Sequence, residues 1–141
     1  FSYNPEMQDY KHLLLKRAAD DRIYPSLWQV ITGGIDDAES PLDCALRETL
    51  EETQLQPIKK WVIPTVGAFF DYKGNSMNFI PIFAFEVNFN DKVVLSSEHC
   101  ECKWLDFNVA LDYLKIPSHI EGLIALNKYI LNTENKMTYA I

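Results

Sequence analysis

Basic residues, cysteines and long apolar runs are all scarce in this sequence, and each shortage excludes a class of protein. Its 141 residues carry 13 Lys and Arg against 20 Asp and Glu, which gives a net charge of −7. Because a protein that binds nucleic acid needs a basic footprint for the phosphates, we expect no nucleic-acid partner. The longest apolar stretches, such as residues 79–85, are far shorter than the ~20 residues that cross a bilayer, so we expect no membrane partner.

The cysteines give no sign of a metal or disulfide framework. Cys44, Cys100 and Cys102 are an odd number and lack the C-x-x-C spacing that is typical of zinc and redox sites. Free thiols are typical of a reducing compartment. The sequence does not open with a charged segment and an apolar run, so it shows no secretory signal. These features predict a cytoplasmic protein.

The pattern of elements predicts one α+β domain over residues 1–141, since no repeat, low-complexity tract or linker divides the chain. We expect strands at residues 1–3, 12–15, 27–31, 61–70, 78–87, 92–95 and 102–105. We expect helices at residues 41–53, 108–114 and 117–131. Strands 61–70 and 78–87 flank a turn and form a hairpin, which argues against an all-parallel sheet. The fold class predicted is therefore a mixed β-sheet packed between α-helices.

The helix at residues 41–53 has the clearest start signal in the chain. Ser40 is a candidate N-cap, Pro41 suits the first helical position, and Asp43 lies in the first turn. In front of it, Gly33 and Gly34 allow the backbone to approach a ligand closely. Acidic residues at positions 36, 37 and 39 lie between these glycines and the helix.

Glu48, Glu51 and Glu52 stand at i, i+3 and i+4 on this helix, so their carboxylates project from one side. Like charges at i, i+4 cost ~0.2–0.5 kcal/mol, and acids near the helix C-terminus cost a further ~0.3–1 kcal/mol each. A divalent cation such as Mg²⁺ reverses both penalties and can bridge an acidic protein to a polyphosphate. An isolated acidic run is more often a solvated surface, with Arg47 paired to Glu51. The glycine loop in front favours the metal interpretation.

The same stretch resembles a known signature. Gly33, five residues, Glu39, seven residues, Arg47-Glu48, two residues and Glu51-Glu52 reproduce the spacing of the Nudix box. The chain thus resembles the Nudix hydrolases of the MutT-like kind. It departs from the box at three positions: Thr49 replaces an aliphatic residue, Gln54 replaces the glycine after the paired glutamates, and Ala38 replaces a glycine before the loop glutamate.

The resemblance extends over most of residues 12–131. Trp28-Gln29-x-x-Thr32-Gly33 and Glu98-His99-x-x-x-x-Trp104-Leu105-Asp106 resemble elements of dihydroneopterin triphosphate and deoxynucleoside triphosphate pyrophosphatases. In that family a strand normally precedes the position of Phe1, so the first strand of the fold is expected to be missing in part.

The resemblance implies a metal site for Mg²⁺, with Mn²⁺ as a substitute. Its ligands would be Glu48, Glu51, Glu52 and Glu98, with the carbonyl of Thr32 or Gly33 completing the sphere. Arg47 and Glu39 would orient these carboxylates. Glu48, Glu52 and Glu98 all remain open as the general base that acts on the attacking water.

Substrate contacts are expected from Trp28, Gly33, Gly34 and Arg17. Trp28 would stack on a base or pterin ring, although a partly buried core aromatic is an equally good interpretation. Arg17 would contact phosphate or simply lie at the surface. His99 is interpreted as a structural histidine.

The function implied is cleavage of a nucleoside or pterin triphosphate into monophosphate and pyrophosphate. The alternatives are hydrolysis of dinucleoside polyphosphates or nucleotide sugars, and a ligand-sensing domain without turnover. The expected partner is a small nucleotide-like substrate, bound by a monomer or a homodimer.

Overall fold

The strands form two antiparallel sheets in the computed structural model, which describes residues 1–20, 24–134 and 136–141. In the larger sheet, the central strand β2 pairs with every other member. Its strands are β1 (Ser2–Asn4), β2 (Asp9–Arg17), β3 (Trp28–Gln29) and β6 (His99–Leu105). The smaller sheet is a hairpin of β4 (Lys59–Asp71) and β5 (Ser76–Glu86).

The two sheets meet at Phe1. The Phe1 nitrogen donates to the Phe85 carbonyl at 2.8 Å, and the Phe1 carbonyl accepts from the Val87 N–H at 3.0 Å. Phe1 thus bonds to Phe85 and Val87, the residues before and after Glu86. One residue that bonds to two residues flanking its neighbour is the hydrogen-bond pattern of parallel strands. The arrangement is therefore mixed, and the expectation of an α+β fold is confirmed.

Three α-helices pack around these sheets: α1 (Pro41–Thr53), α2 (Phe107–Tyr113) and α3 (Pro117–Leu126). A π-helical turn, Asn127–Leu131, continues α3. Gly67 of β4 lies so close to α3 that an added Cβ would come within 3.1 Å of the Ser118 Cβ. The core lies between α2, α3 and the sheets, where Leu14, Leu114 and Ile130 are fully or almost fully buried. No helix in the described part of the chain is long and apolar enough to span a membrane.

The expectation of a strand at residues 92–95 is wrong. The Val94 N–H donates to the Thr53 carbonyl at 2.9 Å, and the Ser96 N–H donates to the Glu52 carbonyl at 3.2 Å. This segment therefore satisfies carbonyls at the C-terminus of α1, which a helix leaves without internal partners. The expected strand at 27–31 shortens to Trp28–Gln29, and the expected helix at 117–131 is α-helical only to Leu126.

The hairpin and α1 form where the sequence predicts them, and α1 has the predicted bounds. Two residues beside α1 adopt the left-handed backbone conformation. Ala38 has φ 66°, and Gln54, which caps the helix, has φ 60° and ψ 14°. These are the two positions where the resemblance expects glycine. A side chain there strains the backbone that glycine adopts freely.

Replacing Gln54 by Gly is expected to stabilise the protein by about 0.5–1 kcal/mol, because the left-handed strain disappears. Chemical denaturation would measure the free energy of unfolding. Gln56→Gly is the matched control: Gln56 is exposed and lies outside the positive-φ residues, so added glycine freedom should be neutral or destabilising. Equal effects of the two substitutions would contradict the strain argument.

Candidate active site

Helix α1 has an exposed side and a buried side, and its glutamates divide between them. The Ser40 hydroxyl accepts from the Asp43 N–H at 3.1 Å and caps the helix start. Cys44, Thr49, Glu52 and Thr53 form the buried side. Glu52 is only 2 % exposed, whereas the Glu51 side chain is 59 % exposed. The predicted acidic cluster therefore has one member inside the protein.

Arg47 joins the glycine loop to α1. Its Nε and Nη2 donate to the two carboxylate oxygens of Glu39 at 2.9 and 3.0 Å. Its Nη1 donates to Glu48 at 2.8 Å and to Glu51 at 3.1 Å, and Nη2 also reaches the Gly34 carbonyl at 3.0 Å. A planar guanidinium suits such paired contacts, which lower the pKa of Glu39.

Glu48 lies directly against the loop backbone. A Cβ placed on Gly33 would overlap the Glu48 carboxyl group. Only glycine at position 33 leaves room for this carboxylate in its present position. The loop and the helix are thus fitted to each other at the glycine that begins the predicted box.

Glu52 is a buried carboxyl group among other acids. Among the described residues, none donates a hydrogen bond to its Oε2. Burial, the largest cause, and the nearby charges of Glu48 and Glu98 together raise the pKa of Glu52 to about 8, while Arg17 opposes them. Glu98 and Arg17, which are distant in sequence, therefore lie close enough to act on Glu52 electrostatically.

Behind Glu52 lie two buried polar side chains from the larger sheet. The Nδ1 atom of His99 is 3.9 Å from Glu52 Oε2, and both side chains are almost completely buried. On the other side of the ring, the Nε2 atoms of His99 and Gln29 are 3.3 Å apart. The three side chains therefore follow one another in a row, with Gln29 on β3, His99 on β6 and Glu52 on α1.

The donor set suits a hard divalent cation in its chemistry. Carboxylate oxygens are the ligands that Mg²⁺ prefers, and a cation stabilises a carboxylate that is buried among other acids. In the described parts of the chain no three acidic, His or Cys side chains already converge on one point. Glu48 and Glu51 instead accept hydrogen bonds from Arg47 at 2.8 and 3.1 Å. The carboxylates of Glu48, Glu52 and Glu98 therefore fit a divalent cation in their chemistry.

An apolar cleft of about 600 Å³ opens beside this cluster. Its lining includes Thr32, Gly33, Gly34 and Glu48 together with the β5 segment from Phe79 to Phe85. Glu48 and the glycine loop therefore border both the acidic cluster and the cleft.

Comparison with known proteins decides the family, since residues 3–125 match the NUDIX domain. The chain belongs to the NUDIX family. Hydrolases of this family act on phosphoanhydride bonds, which agrees with the enzyme class expected from the box residues.

Similar proteins in the Nudix family have various substrates. A segment of 34 residues is 53 % identical to the RNA pyrophosphohydrolase of Agrobacterium fabrum, covering 24 % of this chain and 20 % of that protein. The chain thus spans about a fifth of the length of this curated relative.

Solved structures show the same fold. A Caenorhabditis elegans Ap4A hydrolase in a binary complex has a TM-score of 0.66 at 22 % identity, covering 89 % of this chain and 91 % of that one. The dihydroneopterin triphosphate pyrophosphohydrolase of Escherichia coli has a TM-score of 0.65 at 22 % identity, covering 94 % and 92 %.

Trp28, a predicted substrate contact, packs against side chains of the protein itself. Its ring meets Tyr113 edge-on with centroids 5.3 Å apart, and the Lys103 ammonium lies 5.0 Å from its centroid. It packs against the core and is not part of the cleft lining. Stacking of Trp28 on a substrate remains a prediction.

The sequence interpretation assigned no role to Gln29, whereas the expectation of a structural His99 agrees with its buried contact to Gln29. A weak signal was available, because Gln29 stands in the W-Q pair before the box and His99 directly follows Glu98. A polar residue inside a short β-rich run is a candidate for a buried hydrogen-bonding position. Its partner is 70 residues away, so the pairing itself required the fold.

The metal-free protein is expected to lose stability as pH rises, because the pKa of Glu52 is raised from 4.5 to about 8 in the folded state. The stabilising contribution of protonated Glu52 is fully present below its unfolded pKa of 4.5. It is lost as the pH rises through the folded pKa of about 8. In EDTA, Glu52→Gln should therefore melt several degrees above the parent near pH 8.5 and close to it near pH 5.

Thermal unfolding at the two pH values checks this. Glu51→Gln serves as the control, since the exposed Glu51 should give the parent's pH dependence. A Glu52→Gln variant whose melting temperature follows the parent at both pH values would show that Glu52 is not destabilised by burial.

Proposed function

We propose that this Nudix protein is a Mg²⁺-dependent pyrophosphohydrolase that cleaves a nucleoside or pterin triphosphate into monophosphate and pyrophosphate. The observation that carries the proposal is Glu52, a buried carboxyl group in electrostatic reach of Glu48 and Glu98. Such a group is costly in a protein that binds nothing there. It becomes favourable when a divalent cation occupies the site.

Glu48, Glu52 and Glu98 would hold the cation, with Glu51 and the Thr32 carbonyl at its margin. Bound Mg²⁺ would lower the pKa of the attacking water and offset the charge that grows on the phosphate oxygens. Mn²⁺ should substitute, because it accepts the same oxygen ligands. The net charge of −7 favours a cation as the link between the protein and an anionic substrate.

The chain's own groups would orient the reaction. Arg47 ties Glu39 and Glu48 to one guanidinium, so the acids and the glycine loop keep a fixed relation. The Gly33 and Gly34 backbone can approach a phosphate closely, and Arg17 supplies a nearby positive charge. Glu48, Glu52 and Glu98 are all retained as candidates for the base that accepts the proton of water.

The organic part of the substrate has two candidate positions. Trp28 offers an aromatic ring, but its faces and edge already contact Lys103 and Tyr113. The cleft beside Gly33 and Glu48 offers apolar walls next to the acids. Both options rely on non-directional contacts, which discriminate weakly among flat rings. We therefore expect activity on several triphosphates.

A second candidate function is removal of pyrophosphate from triphosphorylated RNA, because a segment of the chain resembles RNA pyrophosphohydrolases. The net charge of −7 opposes it, since an RNA chain would require a basic surface. Hydrolysis of dinucleoside polyphosphates or nucleotide sugars is a third possibility. A sensor without turnover is disfavoured, because every acidic position of the box is retained.

Glu52→Gln is expected to lower Mg²⁺-dependent turnover by orders of magnitude while the fold persists, because the amide removes the charge and keeps the shape. The measurement is pyrophosphate release from the best triphosphate. Glu121→Gln, on the exposed side of α3, is the control and should match the parent. Parent-like turnover by the Glu52 variant would refute the assignment.

Product analysis separates the candidate substrates. With nucleoside and pterin triphosphates, we expect monophosphate and pyrophosphate in equal amounts, and no products in EDTA. A 5′-triphosphorylated oligoribonucleotide should be a poorer substrate, and increasingly so as salt is added. Activity confined to that RNA, to dinucleoside polyphosphates or to nucleotide sugars would overturn the substrate proposed.

A further inference from the structure

We propose that His99 and Gln29 are positioning residues for the cation site: Gln29 fixes the tautomer of His99, and His99 presents its Nδ1–H to the inner oxygen of Glu52. This inference rests on the proposed function, because it assumes that Glu52 binds a cation. It goes further by assigning a role to two residues outside the Nudix box.

The three side chains form one buried row. Gln29, His99 and Glu52 are 2 %, 5 % and 2 % exposed, so none of them exchanges its partners freely with bulk water. They come from β3, β6 and α1, which are three elements that the fold brings together. Buried polar groups are retained at a cost unless each satisfies another. A row of three therefore suggests a common purpose.

The direction of the row follows from the Gln29 amide. Its Nε2 lies 3.3 Å from His99 Nε2, and because an amide nitrogen only donates, this contact is a hydrogen bond when His99 Nε2 is the unprotonated ring nitrogen. In a neutral imidazole the proton consequently lies on Nδ1. That nitrogen is 3.9 Å from Glu52 Oε2, and a small movement of either side chain makes it a hydrogen bond.

A neutral N–H donor suits a carboxylate that must also bind a cation. A lysine or arginine at the position of His99 would pair with Glu52 and cancel the charge that the cation needs. The imidazole instead holds Oε2 on the inner side while leaving the full carboxylate charge. The other oxygen is then free to turn toward Glu48 and Glu98, the acids that act on Glu52.

The tautomer can be read in the parent protein without any substitution. Proton–nitrogen NMR of ¹⁵N-histidine-labelled, metal-free protein distinguishes the two neutral forms by their nitrogen shifts. We expect His99 to carry its proton on Nδ1. A proton on Nε2 would overturn the proposal, since the ring would then turn a lone pair toward the carboxylate.

Two variants test the consequence for cation binding. The amide nitrogen of Asn occupies the position of Nδ1, whereas that of Gln occupies the position of Nε2. His99→Asn should therefore keep Mn²⁺ affinity within about threefold of the parent, and His99→Gln should weaken it about 10-fold to 100-fold. Electron paramagnetic resonance of free Mn²⁺ measures both, with His119→Asn as the control and circular dichroism to verify folding.

Equal losses in His99→Asn and His99→Gln, or parent-like affinity in both, would overturn the role of Nδ1. Glu52→Gln separates this failure from failure of the proposed function. If Glu52→Gln weakens Mn²⁺ binding while both His99 variants bind like the parent, only the positioning role is lost. If Glu52→Gln itself binds Mn²⁺ like the parent, the cation site and the proposal built on it both fall.

Discussion

The Arg47 guanidinium is the contact on which the arrangement of the site depends. It bonds both oxygens of Glu39 in the loop, and on its own helix it reaches Glu48 and Glu51. Besides Arg47, the loop has a contact from Cys44 Sγ to the Gly34 carbonyl and a turn between Asp36 and Glu39. One planar, permanently charged group thus sets where the loop backbone stands relative to the helix acids. A lysine could not do this, because its ammonium lacks the fork geometry.

The helix turn explains why neighbouring glutamates differ so strongly. Residues four apart share a stripe, so Arg47 lies in line with Glu51, and Glu48 lies in line with Glu52. Arg47 and Glu51 remain accessible to solvent and form an ion pair at 3.1 Å, so their charges cancel. The second stripe runs inward to a carboxyl group that burial and like charges leave destabilised. The buried charge of Glu52 lowers the stability of the fold, and a cation bound at Glu52 would restore that stability.

Local chemistry made part of the fold predictable. The start of α1 followed from Ser40 and Pro41, whose effects act within one turn. The hairpin followed from two apolar runs around a short polar turn. Residues 92–95 could not be predicted, because their hydrogen bonds go to the end of α1, about 40 residues earlier in the chain. For the same reason the sequence placed three glutamates on one side of α1 but gave no sign that Glu52 faces inward.

The pairing of Gln29 with His99 shows what spacing alone leaves undecided. In the sequence, Gln29 is simply a polar residue in a β-rich run, and His99 is simply the residue after Glu98. Their meaning arises from β2, which pairs with β3 on one side and β6 on the other and so brings both residues behind α1. A metal site needs its ligands and also the neighbouring groups that orient those ligands. Here the proposed ligands Glu48, Glu51 and Glu52 lie within one short motif, whereas Glu98 and the two orienting residues come from other parts of the chain. A motif of charged residues therefore locates the chemistry, and only the fold identifies what holds it in place.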